Sequence, residues 1–187
     1  MGMPDLVRTW TREAVLALPD DRNRYELVDG ELLVTPSPRG RHQRGVLELY
    51  RLVDRYVRLH RLGRVALAPA DLDLGAGQLL QPDLFVGRMR EGRPPVEWDE
   101  FAIPILVAEI LSPSTARYDR TIKRRRYQTS GVGTYWIVDL DARVVEVWTP
   151  VDDRPSLADQ RLIWRSADST PPLDVDLPGY FGEVWDE

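Results

Sequence analysis

Hydrophobic residues recur along this chain in three patterns, and each predicts a different element. From about Gly40 to His60 the apolar positions are three and four residues apart, which predicts an amphipathic helix. Residues 24–36 form two strand-like runs on either side of Asp29-Gly30, the sequence of a tight β-hairpin. The run 104–111 is almost continuously apolar and has the length of a strand. We therefore expect a central strand covered on both faces.

The remaining segments complete a pattern of mixed helices and strands. Short helices are expected at 11–18, ended by Pro19, and at 115–130, ended by Gly131. We expect two or three short strands within 64–87, further strands at 134–140, 143–150 and 160–164, a short element at 177–185, and loops at 87–100 and 151–159. There is no internal repeat or interdomain linker. The prediction is a single α/β (α+β) domain over residues 1–187, with a mixed sheet flanked by helices and an N-terminal hairpin.

Composition excludes several classes of protein. Hydrophobic residues make up 43% and charged residues 29% of the chain, which is typical of a globular protein. No run of 18 apolar residues occurs, so we expect no contact with a membrane. The chain has no cysteine, which rules out disulfides, thiolate zinc sites and cysteine nucleophiles. With no apolar signal segment in the first ten residues, we expect a cytoplasmic protein.

The charge is unevenly distributed, although its formal sum is only −5. Residues 39–64 carry eight arginines and two acidic residues, and residues 115–126 carry six basic residues and one acidic residue. Residues 139–187 carry twelve acidic residues and four arginines. The two basic segments could form a surface that binds phosphate groups, although solvated helix faces are the commoner explanation of such runs.

Glu109 is the most informative residue, because it lies within the strand that we expect to be buried. A buried carboxylate without a partner costs several kcal/mol or becomes neutral, so it requires a basic side chain, a hydrogen-bond network or a metal ion. A second acid, Asp83, opens the preceding predicted strand after Pro82. Two carboxylates on neighbouring strands can share a divalent cation. Each also has a simpler explanation: Asp83 could cap a turn, and Glu109 could pair with an arginine.

Lys123 is the only lysine in a chain with 24 arginines. Arginine cannot lose its proton in a protein, whereas lysine is a compact charge with an adjustable pKa. Lys123 lies in the helix that follows the Glu109 strand, with Asp119 and Tyr127 one turn away on the same face. This position favours a functional role. The alternative is a surface ion pair with Asp119, which would contribute about 0.3–0.5 kcal/mol.

The order of YELVDGEL, SPRGRHQ, QPDLFV, LVAEILSPST and DRTIKRRRYQTSGVGTYWIVD resembles the Uma-two-type family of restriction endonucleases, within the PD-(D/E)XK nuclease superfamily. The resemblance runs from about Thr11 to Pro150 and is most specific from Glu109 through Asp139. It implies a restriction-endonuclease-like core. It departs from the superfamily pattern at Leu111, where that pattern has a lysine two residues after the acid. The family resemblance implies that Lys123, on the following helix, takes the place of this lysine.

Carried over to this chain, the resemblance implies a catalytic set of Asp83, Glu109 and Lys123. Asp83, Glu109 and the backbone carbonyl of Ile110 would bind Mg²⁺ or Mn²⁺. The supporting residues would be Glu26, His42 and Tyr127, although a solvent-facing His42, an exposed Glu26 and a core Tyr127 are also compatible with the sequence. The residues expected to contact nucleic acid are Arg39, Arg41, Arg44, Arg117, Arg120 and Arg124.

The implied function is metal-assisted hydrolysis of phosphodiester bonds, with double-stranded DNA as the expected substrate. Cleavage of both strands needs two sites, so we also expect a homodimer. Two alternatives remain open: a protein that keeps the fold but binds nucleic acid or a protein partner without cutting, and a structural ion-pair network in an interaction module. A direct pair between Lys123 and Glu109 with no room for an ion would favour the network.

Overall fold

The computed structural model describes residues 9–19, 21, 23–36, 40–75, 78–97, 100–166 and 170–187. The strands are β1 (Asn23–Val28), β2 (Glu31–Pro36), β3 (Gly63–Leu67), β4 (Leu84–Arg88), β5 (Leu106–Ile110), β6 (Tyr135–Asp139), β7 (Val144–Trp148), β8 (Ser156–Ala158), β9 (Arg161–Trp164) and β10 (Leu173–Asp176). The helices are α1 (Arg12–Leu16), α2 (Gly40–Leu59), α3 (Ala116–Tyr118), α4 (Arg124–Thr129) and α5 (Leu177–Trp185), with a π-helical turn at Asp119–Lys123 between α3 and α4.

The centre of the fold is a six-stranded mixed sheet in the order β3-β4-β5-β6-β7-β8. Strands β5 and β6 are parallel, and the other neighbours are antiparallel. Parallel neighbours need a crossover connection, and here α3, the π-helical turn and α4 provide it. The predicted mixed sheet flanked by helices is confirmed.

The alternation of side chains along β5 determines where Glu109 points. Leu106, Ala108 and Ile110 belong to the hydrophobic cluster that includes residues of α2 and α5. Val107 belongs to a separate cluster on the other face of the sheet, with Tyr127 of α4. Because successive strand residues face opposite sides, Glu109 shares the face of Val107 and points toward the crossover helices.

The hairpin β1–β2 covers this second face. Asp29 and Gly30 have φ values of 51° and 83°, the positive values that a two-residue type I′ turn requires, so the predicted hairpin is confirmed. Leu27 of β1 exchanges backbone hydrogen bonds with Leu79, at 2.7 and 2.9 Å. These bonds hold the hairpin beside the segment that leads into β4.

The long amphipathic helix also agrees with its prediction, because α2 buries Val46, Leu49, Val53 and Val57 along one stripe. Helix α1 agrees with the short helix expected at 11–18, and its N-cap residue Thr11 accepts a hydrogen bond from the amide of Ala14 at 3.2 Å. Within the described residues, no helix is both long and apolar enough to cross a membrane.

The structure corrects the sequence-based elements in three places. The predicted helix 115–130 is interrupted by the π-helical turn, which brings Asp119 and Lys123 together, both buried. The predicted loop 151–159 contains β8, which pairs with β7. Strand β10 was not predicted, and it pairs with β9. Both missed strands have only three or four residues, too few for a hydrophobic period to be visible.

Candidate active site

Asp83 lies directly before β4 and is 3% exposed. Its Oδ2 accepts hydrogen bonds from Nε2 of His42 and from the amide of Ile110, both at 3.0 Å. Its Oδ1 accepts one from Nη1 of Arg24 at 3.1 Å. Burial alone would raise the pKa of Asp83, but His42, Arg24 and the Ile110 amide together lower this pKa to about 2. Asp83 is therefore an anion at neutral pH.

Glu109 is the cross-strand neighbour of Asp83, because the register pairs Leu84 with Ala108. Its Oε2 accepts a hydrogen bond from the amide of Asp83 at 3.2 Å. Its Oε1 accepts one from Nζ of Lys123 at 3.0 Å and one from the hydroxyl of Tyr127 at 3.2 Å. The two acids therefore lie side by side on one face of the sheet, as the metal hypothesis requires.

The ionisation of Glu109 depends on its charged neighbours. Burial raises the pKa of this carboxyl group well above its ordinary value, and the Lys123 ammonium opposes that shift. The nearby carboxylates of Asp83, Asp119 and Glu26 raise the pKa further. Without an added cation the site carries more negative than positive charge, so it favours a proton or a cation at Glu109.

Lys123 is buried, with 2% of its surface exposed, so the alternative of a surface pair with Asp119 is wrong. Its Nζ lies 2.9 Å from Glu26 Oε2, 3.0 Å from Glu109 Oε1 and 3.4 Å from Asp119 Oδ1. Burial by itself lowers the pKa of a lysine, but these carboxylates raise the pKa of Lys123 well above its ordinary value. The three carboxylates therefore favour the charged ammonium form of Lys123.

The supporting residues are held by backbone groups of neighbouring segments. Glu26, 1% exposed on β1, accepts a hydrogen bond from the amide of Gln81 at 2.8 Å through Oε1, while its Oε2 contacts Lys123. The solvent-exposed alternative for Glu26 is therefore wrong. Tyr135 on β6 donates its hydroxyl hydrogen to the backbone carbonyl of Asp119 at 3.1 Å. Tyr127 is fully buried and also contacts Glu109, so it belongs to both the core and the site.

A cavity of about 440 Å³ opens beside these groups. Its wall includes Asp83, Glu109 and Lys123, and also Arg24, His42, Arg41, Ser112, Ser114, Thr115, Asp119 and Arg120. The direct contact between Lys123 and Glu109 is the feature expected of an ion-pair network. The cavity beside the two acids is the room that a metal site with its water ligands needs.

The arginines expected to contact nucleic acid have different surroundings, and Arg39 lies outside the described residues. Arg41 lines the cavity, with its guanidinium carbon 3.6 Å from the ring centre of Trp185. The side chain of Arg44 lies 3.0 Å from Asp186. Such a pairing lowers the positive charge that is available to a phosphate group.

Three further arginines lie on the crossover helices. Arg120 contacts Asp139 at 3.1 Å and Glu146 at 2.6 Å, so two acids already neutralise it. Arg124 donates to Gln128 at 2.6 Å. Arg117 is exposed in α3. Of the six predicted arginines, Arg41 lies on the cavity wall and has no carboxylate partner among the described residues.

Two site residues were missed or misinterpreted from the sequence. Arg24 contacts Asp83 and lines the cavity, yet it was not predicted. It lies two residues before Glu26 on the same strand, and this spacing places both side chains on one face. Asp119 was interpreted only as a partner of Lys123, but it is 1% exposed and lines the cavity.

The donor atoms present can accommodate one divalent cation. Asp83 Oδ1 and Glu109 Oε2 each accept one hydrogen bond from the described residues, which leaves each oxygen with further acceptor capacity. Mg²⁺ commonly binds through one or two carboxylates and keeps several water ligands. Among the described residues no three acidic or histidine side chains form a ready metal-binding group. The residues present therefore fit an ion that is held by two carboxylates and several water molecules beside the cavity.

The sequence matches the family described as "Uma2: Putative restriction endonuclease" over residues 12–178, which is most of the chain. The chain belongs to the Uma2 family. The match extends beyond the range 11–150 in which the sequence resemblance was strongest, and it includes β8, β9 and β10.

A solved structure supports the fold of this Uma2 member. A protein described as "a putative nuclease belonging to DUF820", from Anabaena variabilis, superposes with a TM-score of 0.72 at 19% sequence identity. The superposition covers 94% of this chain and 99% of that one. A search of curated proteins by sequence gave no match. The expected restriction-endonuclease-like fold is therefore confirmed by a structural relative of low sequence identity.

The first testable prediction concerns the charge on Asp83. Arg24→Met should raise the pKa of Asp83 above about 2, because it removes one of the groups that lower it. A carboxyl group with a depressed pKa stabilises the fold above its unfolded pKa, and the stabilisation is lost as the pH falls through its folded pKa. In the variant the stabilisation from Asp83 should therefore be smaller, and its loss should be complete at a higher pH than in the parent. Carboxyl-carbon NMR titration measures this pKa, and an unchanged value would show that Arg24 does not hold the anion.

Proposed function

We propose that this protein is a metal-dependent endonuclease that hydrolyses phosphodiester bonds of DNA. The observation that carries the proposal is the pair of adjacent buried carboxylates, Asp83 and Glu109, beside an open cavity. The description of the Uma2 family and the printed description of the Anabaena protein support a nuclease. The single domain over residues 1–187 is part of the same proposal.

The proposed cofactor is Mg²⁺ or Mn²⁺, held by Asp83 and Glu109, with the carbonyl of Ile110 as a further ligand. A bound cation of this kind lowers the pKa of a water molecule and offsets negative charge that develops on the phosphate. Ile110 already contacts the site, because its amide donates to Asp83 at 3.0 Å. This contact fixes β5 against the acid that precedes β4.

The surrounding residues keep the two acids in place. His42 and Arg24 hold Asp83 from two directions, and Lys123 and Tyr127 hold Glu109. Glu26 in turn holds Lys123. A network of this kind fixes the orientation of ligands before a substrate arrives, which is the requirement for effective electrostatic catalysis.

Contacts with the phosphate backbone are proposed for Arg41 and for Arg24, which line the cavity. Arg24 uses Nη1 on Asp83 and on the carbonyl of Gln81, so its other guanidinium nitrogens can donate to a phosphate oxygen. Arg44, Arg117, Arg120 and Arg124 remain proposed contacts, and so does Arg39, which lies outside the described residues. A homodimer is proposed as well, because cleavage of both strands of a duplex needs two sites.

A second candidate function is a protein that binds nucleic acid without cutting it. The direct contact of Lys123 with Glu109 at 3.0 Å favours this candidate, because it satisfies one of the two acids without a metal. The two candidates differ in one measurable property. A nuclease cleaves DNA in the presence of the metal and stops when EDTA removes it, whereas a binding module binds nucleic acid and cleaves it under neither condition.

The second prediction tests the nuclease directly. Asp83→Asn and Glu109→Gln should each lower Mn²⁺-dependent cleavage of plasmid DNA on the order of 10²-fold or more, since each removes one positioned charge. EDTA should abolish cleavage by the parent protein. Asp54→Asn is the matched control, because Asp54 pairs with Arg58 on the surface of α2. A Glu109→Gln variant that cuts like the parent would refute the assignment.

The third prediction concerns the binding of DNA. Arg41→Ala should weaken binding and reduce the slope of log affinity against log salt concentration by about 1, as expected for the loss of one phosphate contact. Arg58→Ala is the control, because Arg58 lies in the last turn of α2 and pairs with Asp54. Fluorescence anisotropy with duplex DNA in Ca²⁺ measures both quantities. Equal losses in the two variants would place the contact surface away from the cavity.

A further inference from the structure

Three buried carboxylates converge on one point, and the ammonium group of Lys123 occupies that point. The oxygens of Glu26, Glu109 and Asp119 lie 2.9, 3.0 and 3.4 Å from Nζ. Each of these acids is at most 2% exposed. An ammonium group has three N–H donors, so the three carboxylates can engage all of them.

We propose that Lys123 fills a cation position, and that its ammonium group stands where a second divalent ion would otherwise bind. The site then takes one metal ion, at Asp83 and Glu109, instead of two. The presence of that first ion rests on the function proposed above. The proposal about Lys123 concerns a separate position, on the other side of Glu109.

The chemistry of the position supports this inference. Carboxylate oxygens are the ligands that Mg²⁺, Ca²⁺ and Mn²⁺ prefer. The distances of 2.9–3.4 Å suit an ammonium group and exceed the 2.0–2.6 Å of bonds from these acids to Mg²⁺ or Ca²⁺. The lysine therefore sets the present spacing, and removal of its charged end would let the acids approach a smaller ion.

Asp119 provides a second and independent observation. Its Oδ1 is buried and has no hydrogen-bond partner among the described residues, although the ammonium lies 3.4 Å away. Buried carboxylate oxygens are normally satisfied. Here the positive charge of Lys123 offsets the negative charge of Asp119 without a well-directed hydrogen bond. Such an oxygen is free to coordinate an ion once the lysine is absent.

An ion could reach this position from solvent, because Lys123 and Asp119 both line the cavity. Truncation of the lysine side chain would extend the cavity toward the three acids. Lys123 contacts Glu26 and Glu109 and lies 3.4 Å from Asp119, so Lys123 acts on the reaction through Glu109. It is therefore a positioning residue.

The test counts ions bound by the full chain. Isothermal titration with Mn²⁺, and separately with Ca²⁺, should give one more ion per chain for Lys123→Ala than for the parent protein. The thermal midpoint of Lys123→Ala should be lower than that of the parent in EDTA, because three buried acids lose their cation. Added Ca²⁺ should recover more of the midpoint in the variant than in the parent. Equal ion counts in the two proteins would overturn the proposal.

Two further variants keep the test decisive. Lys123→Met removes the charge but fills the space, so it should bind no additional ion. The double variant Lys123→Ala with Glu26→Gln buries one negative charge fewer than Lys123→Ala, so it should fold more readily. It should bind the additional ion at least about tenfold more weakly than Lys123→Ala does. Should Lys123→Ala fold only in Ca²⁺, the proposal is supported. The proposal fails if no cation restores the fold of Lys123→Ala and the double variant binds no additional ion.

The counts also separate this inference from the proposed function. No ion in the parent and one in Lys123→Ala would reject the metal at Asp83 and Glu109, and would still support the cation position. One ion in both proteins would support the metal and reject the cation position. DNA cleavage is not needed for either conclusion.

Discussion

The structure depends on how four buried acids are compensated. Asp83, Glu109, Glu26 and Asp119 are each at most 3% exposed. An uncompensated charge in such surroundings would destabilise the fold by several kcal/mol, and breaking one buried ion pair typically costs about 3–5 kcal/mol. Lys123 compensates three of the acids at once, and Arg24 and His42 compensate Asp83. The candidate site and the stability of the fold therefore share the same contacts.

These contacts also explain the arrangement of the elements. The acids come from β1, from the residue before β4, from β5 and from the π-helical turn, so the ion pairs join segments that are distant in sequence. The hairpin β1–β2 makes a short sheet of its own, yet Glu26 and Arg24 reach from it to Lys123 and Asp83. A site assembled in this way forms only when the hairpin, the central sheet and the crossover helices are all in place.

Much of this fold follows from local patterns in the sequence. The Asp29-Gly30 turn, the amphipathic α2 and the buried β5 have strong periodic or turn signals, and all three are present. The acids were found because a charge within an apolar strand is conspicuous. Arg24 and the true surroundings of Asp119 were not found, because long-range contacts have no local signal. The short strands β8 and β10 were missed for another reason, because three or four residues are too few to show a hydrophobic period.

The geometry gives a physical reason for a single lysine in a chain of arginines. A guanidinium group has several donors in one plane, so it suits the partly open position of Arg24, where Nη1 contacts both Asp83 and a backbone carbonyl. Three carboxylates arranged around one point need a compact charge with donors in three directions, which an ammonium group has and a guanidinium lacks. An arginine at position 123 would also be larger than the enclosed space, and overpacking a core of this kind typically costs about 1–3 kcal/mol. The shape of the acid cluster, and not the sign of the charge alone, therefore accounts for a lysine at this position.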